Sequence, residues 1–121
     1  DRNFTADQIR ALAEDDTRYL WGYEDGQGAP IEMTIQRFLD QYIFAVDYTL
    51  APRVGVDEIL LRGNCLENVR EAYPGCRFVD LCYPGLDQAN GGLDWCSLKM
   101  VFAATQSGWY LVGLIHSQWT I

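Results

Sequence analysis

Histidine and lysine are almost missing from this sequence: His116 and Lys99 are the only ones among 121 residues. A single histidine cannot complete a usual Cys/His zinc set, and Cys65, Cys76, Cys82 and Cys96 include no C-x-x-C pair, so no metal site is expected. No stretch approaches the ~20 apolar residues of a membrane span. G-x-S-x-G is absent, which leaves Ser97 and Ser117 without a nucleophile motif and makes a Ser-His-Asp hydrolase a poor expectation. Positive charge is also short, with 9 Lys and Arg against 17 Asp and Glu and a net charge of -8. The basic residues are scattered singly, so neither nucleic acid nor an anionic lipid surface is an expected partner. No cofactor fingerprint occurs, and no cofactor is expected.

An apolar leader and an initiator Met are lacking too. The chain opens Asp1 Arg2 Asn3 Phe4, which reads as a mature form or fragment of a longer precursor. With an even cysteine count, this suggests an extracytoplasmic or secreted protein, a cytoplasmic one with four reduced thiols being the alternative. If disulfides form, Cys82 with Cys96 across a hairpin and Cys65 with Cys76 are the candidate pairs.

What is present fills one core: 49% of residues are hydrophobic and 13% aromatic, as in a single domain over 1–121. Thr5 caps an expected helix over 6–14. Thr17 to Tyr23 and Pro30 to Thr34 form an expected hairpin around a Gly-rich turn. Ile35, Phe38, Leu39, Tyr42, Ile43 and Val46 fall at helical spacing and predict the longest helix, ending before Pro52. Glu58 to Leu61 reads as a short extended piece, and Asn64 as the cap of a helix running through Leu66, Val69 and Ala72. Cys76 to Tyr83, Trp95 to Thr105 and Trp109 to Thr120 then predict three strands of an antiparallel meander, joined by 84–94 and by the turn Gln106 Ser107 Gly108.

The short turn ending Gly108 Trp109, the apolar strand after it, and the closing His116 and Trp119 resemble the last strand of NTF2-like (SnoaL-like, cystatin-like superfold) proteins. That resemblance implies an α+β cone, in which helices pack on a curved antiparallel sheet and leave a pocket. The C-terminal part also looks like uncharacterised domains of secreted bacterial cell-surface proteins, which implies a compartment more than a chemistry.

His116 is the natural candidate acid–base group, because imidazole titrates close to neutrality. Asp80 is its candidate partner, a carboxylate in the middle of the apolar strand Arg77 Phe78 Val79 Asp80 Leu81 Cys82 Tyr83. Two readings of Asp80 stand side by side. In one it lies on a solvated face or pairs with Lys99 of the adjacent strand; in the other Asp80, His116, Tyr83 and Lys99 line a cup and work as a cofactor-free NTF2-like dehydratase or isomerase. Tyr19, Trp21 and Tyr23, with Tyr83, Trp95, Trp109 and Trp119, offer aromatic faces for a small molecule, a glycan, a peptide or a second copy of the chain. The loop 83–95 is the expected binding loop; Asp87, Asn90 and Asp94 there lack the spacing of a calcium loop. A non-enzymatic accessory or binding domain is the favoured expectation, and the dehydratase its alternative.

Overall fold

Thr5 opens the first helix as its side chain allows. In the computed structural model, which describes residues 2–63 and 66–119, its hydroxyl accepts from Gln8 N at 3.2 Å and the Gln8 side chain returns to Thr5 N at 2.8 Å. This reciprocal cap opens helix α1, Ala6–Arg10. The helix stops short of the expected residue 14. Asp15 turns the chain away, accepting from Thr17 N at 3.0 Å and from the Tyr19 hydroxyl at 2.8 Å.

The chain divides into two units, one reaching Ala45 and one from Val46 onward. In the first, β1 (Tyr19–Tyr23) pairs antiparallel with β2 (Pro30–Met33), as the turn chemistry predicts, with the register slipping between Leu20 and Gly22. Thr34 then caps α2, Ile35–Phe38, its hydroxyl accepting from Arg37 N at 3.2 Å. The expected long helix ends early. It widens into a π turn over Leu39–Ile43, closed by Phe44 N on Leu39 O at 2.7 Å, and Asp47 then starts a new turn at Tyr48–Leu50. Ile35 and Ile43 are the buried hydrophobics of this unit, and half-buried aromatic side chains pack on one another: Trp21 stacks on Phe38 at 4.0 Å, Phe38 on Tyr42 at 5.3 Å, and Phe4 meets Tyr19 edge-on.

The second unit is a four-stranded antiparallel sheet in the order β3 (Arg53–Val56), β4 (Arg77–Tyr83), β5 (Cys96–Thr105), β6 (Gly108–Gln118). The three long strands follow the predicted meander. β3 lies where no strand is expected, and Glu58–Leu61, expected to be extended, forms no strand. That segment is a strap across the sheet, admitted by Gly55: a Cβ there would stand 2.9 Å from Glu58 O and 3.0 Å from Leu60 Cδ2. The helix expected from Asn64 shrinks to α3, Val69–Ala72; Leu66 is 85% exposed and so lies off any apolar stripe, while Asn64 itself falls outside the described residues.

Register assigns the faces. Cross-strand partners share a face and neighbours along a strand alternate, so Phe78, Asp80 and Cys82 lie with Val101, Lys99 and Ser97 on one face. The other face carries Val79, Leu81 and Tyr83 with Met100, Leu98 and Cys96. The strap and α3 cover the Asp80 face. Val69, Phe78 and Val101 are buried there against Ile59, Tyr73, Cys76 and Ile115, at about 1.5–3 kcal/mol for each fully buried large side chain.

The expected Cys82–Cys96 disulfide is corrected by the same register. Cys82 pairs with Ser97 and Tyr83 with Cys96, so the two thiols leave the sheet on opposite faces, and Cys76, Cys82 and Cys96 are all free. Cys65, the expected partner of Cys76, lies outside the described residues.

Candidate functional site

Asp80 and Lys99 are direct partners in the β4–β5 ladder, and the strap seals them from water: both are 0% exposed, as is Ser97 beside them. Lys99 Nζ lies 3.8 Å from Asp80 Oδ2 and 3.1 Å from Oε2 of Glu67, whose side chain is nearly buried. Leu60 N donates to Asp80 Oδ2 at 3.0 Å. Among the described residues three buried atoms here have no hydrogen-bond partner, Asp80 Oδ1, Ser97 Oγ and Lys99 Nζ. Burial pushes the Asp80 carboxyl up from its ordinary value, against the downward pull of the Leu60 N–H and of Lys99. Burial likewise lifts the Cys82 thiol to about 11, with the Asp80 charge adding to it.

His116 stands elsewhere. It pairs with Leu98, on the face opposite Asp80 and two strands away. The expected cup of Asp80, His116, Tyr83 and Lys99 is therefore divided, Asp80 and Lys99 on one face and His116 and Tyr83 on the other. A sheet that puts one residue on each face cannot bring the Asp80 carboxylate to the His116 imidazole, so the acid–base dyad is not formed. His116 Nε2 is shared with Gln118 Oε1 at 3.0 Å, Nδ1 is buried without a partner, and burial lowers the imidazole below its usual range. Its neutral form is the one this site favours.

The aromatic candidates are spread as well. Tyr83 donates its hydroxyl to Asp47 O and packs edge-on against Tyr48. Trp95 is 7% exposed, its ring 3.2 Å from where a Cβ on Gly63 would stand, and its carbonyl accepts from Trp119 N at 3.0 Å. Trp21 belongs to the first unit's aromatic stack, its indole N–H on Met33 O at 2.9 Å; Tyr23, at 65% exposed, has turned away from it. Trp119 is partly exposed. In the loop, the Asp94 carboxylate accepts from Leu86 N, Asp87 N and Asn90 Nδ2 at 2.8–3.0 Å, so it closes the loop on itself.

Two features went unseen in the sequence. Glu67, two residues before α3, completes the buried cluster through a contact that no local pattern encodes. The second is the free edge of β6, and it had a signal: from Met100 to Ile121 the chain has no Asp, Glu, Lys or Arg. Trp109, Tyr110, Leu111 and Val112 run consecutively at 56, 51, 48 and 47% exposed. Beside them a shallow groove of about 290 Å³ is lined by Val56, Val79, Phe102 and Trp109. No protein-family model, curated protein or solved structure matches the chain. What its own coordinates define is an α+β chain with an antiparallel sheet, closed over an ionic cluster on one face and apolar along one edge.

Proposed function

We propose that this chain is a non-catalytic binding domain, and that the edge of β6 takes up an extended, apolar strand of a partner protein. One observation carries the reading. β6 is an eleven-residue edge strand without one charged residue or proline, in a chain whose residues are 21% charged. Edge strands that must stay unpaired are usually short or guarded by charge, proline or bulges. The opposite edge, β3, is such a strand: four residues long, preceded by Pro52 and opening with Arg53. β6 has only the bulge where the register slips beside Phe102. Strand addition supplies affinity through backbone hydrogen bonds, and the exposed Trp109–Val112 run supplies pockets for alternate side chains. The charge of -8 favours a partner with basic flanks.

The test uses a fluorescently labelled peptide copying residues 108–118 as the probe. Its anisotropy should rise on titration with the intact chain, and Tyr110→Lys together with Val112→Lys should weaken that rise at least ~10-fold, the equivalent of about 1.4 kcal/mol. No binding, or equal binding by the variant, contradicts the proposal. Sedimentation of the chain alone decides whether a second copy is the natural occupant.

An extracytoplasmic setting belongs to the same proposal, and with three free thiols it draws no support from disulfides. The NTF2-like cone also belongs here. It requires residues 35–43 to lie across the four-stranded sheet, which nuclear Overhauser effects between Phe38 and Met100 would establish. No observation favours the dehydratase reading.

A further inference from the structure

The buried ionic cluster has the composition of a reactive site, and its Asp80, Lys99 and Ser97 are closed off from solvent. Two shallow grooves among the described residues of this unit are lined by none of the three. Whatever these groups can react with is already inside. We propose that Lys99 Nζ and Asp80 Cγ join in an amide bond that crosslinks β4 to β5, with Glu67 carrying the protons and water leaving.

Three contacts in the structure fit that step. Register partnership holds amine and carboxyl together, with Nζ 3.8 Å from Oδ2, so the reaction is unimolecular and gains the large effective concentration of a fixed pair. A dry site disfavours an ionised Asp80 carboxylate whose Oδ1 has no hydrogen-bond partner. The direction in which burial moves the Asp80 carboxyl agrees. Glu67 Oε2, 3.1 Å from Nζ, can accept a proton from the amine. Leu60 N–H, already on Oδ2, meets the negative charge that develops there during attack.

Atoms and charges balance without an oxidant or activating group. One ammonium proton passes by way of Glu67 to Asp80 Oδ1, and the freed Nζ lone pair attacks Cγ, placing charge on Oδ2. Glu67 takes a second proton from nitrogen and gives it to Oδ1. The Cγ–Oδ1 bond breaks, Oδ1 departs as water, and Oδ2 becomes the amide carbonyl, still held by Leu60. Nitrogen retains one hydrogen, and Glu67 ends as it began.

The experiment is the intact mass of the reduced, denatured full chain. The expected mass is one water molecule below the sequence mass, with trypsin failing to cut after Lys99 and a branched peptide joining the Asp80 and Lys99 segments. Lys99→Arg and Asp80→Ala should restore the full mass. Asp80→Asn, the conservative substitution, should still crosslink and lose ammonia instead, which guards against variants that merely fail to fold. Glu67→Gln should leave the chain uncrosslinked in the time the unsubstituted protein takes to react. A full-mass unsubstituted chain after prolonged incubation overturns the proposal. So does a water loss that maps to Asp25–Gly26, where an Asp-Gly pair can cyclise alone.

Discussion

Gly113→Ala tests how closely the strap and α3 lie on the sheet. A Cβ at Gly113 would stand 2.7 Å from both Cζ and the hydroxyl oxygen of Tyr73, and 3.1 Å from Cε1. Tyr73 packs against the Val69, Phe78 and Val101 core, so its ring cannot yield without disturbing buried neighbours. Overpacking of this kind costs roughly 1–3 kcal/mol, whereas replacing glycine by alanine within a strand recovers about 0.5–1 kcal/mol. The net expectation is a loss of about 1–2 kcal/mol, read as a lower urea midpoint with unchanged slope, followed by the fluorescence of Trp95 and Trp109 in this unit. Tyr73→Ala alone should also destabilise. The double variant should be no worse than Tyr73→Ala, since the clash is gone, giving a coupling of about 1–2 kcal/mol. A neutral or stabilising Gly113→Ala, or a strictly additive double variant, would refute the packing.

His116 should make stability depend on pH. Its folded value is depressed by burial, so its contribution is fully present above the ordinary value of 6.5 and is lost as pH falls through that value toward the folded one. The slope attributable to it is at most ~1.4 kcal/mol per pH unit, and His116→Gln should flatten that window in urea titrations. Native alkylation with iodoacetamide should modify half-buried Cys76 before buried Cys82 and Cys96, as peptide mapping would show; Cys82, raised to about 11, should react only as the chain opens. Phe38→Ala removes the face on which Trp21 stacks, and a loss of about 2–3 kcal/mol with collapse of the near-ultraviolet circular dichroism is expected.

The strands of the meander were legible because long β-rich runs and a tight Gly108 turn leave little choice of boundary. Thr5 and Thr34 were legible as caps because a hydroxyl before an apolar-periodic segment has one obvious use. Which face each residue takes was not. A one-residue change in the β4–β5 register exchanges every partner, and the loop at 84–95 is too long to fix it, so Asp80 could be paired with Lys99 or turned toward a cup with equal local logic. β3 escaped notice because Arg53–Val56 is short and follows a proline. The helix ending at Ile43 escaped because hydrophobic spacing does not distinguish an α turn from a π turn. Glu67 could not be found from sequence, because its partner Lys99 lies 32 residues away and no local spacing links them.

Asp80, Lys99 and Glu67 face inward, and the recognition surface proposed above faces outward along β6. Amide hydrogen exchange with and without the peptide copying residues 108–118 tests both halves at once. The expected result is slowed exchange confined to β6, with Leu60 and Lys99 protected equally in both states. Slowed exchange at Leu60 and Lys99 with β6 unchanged would mean that ligand enters the buried cluster, and would contradict the account.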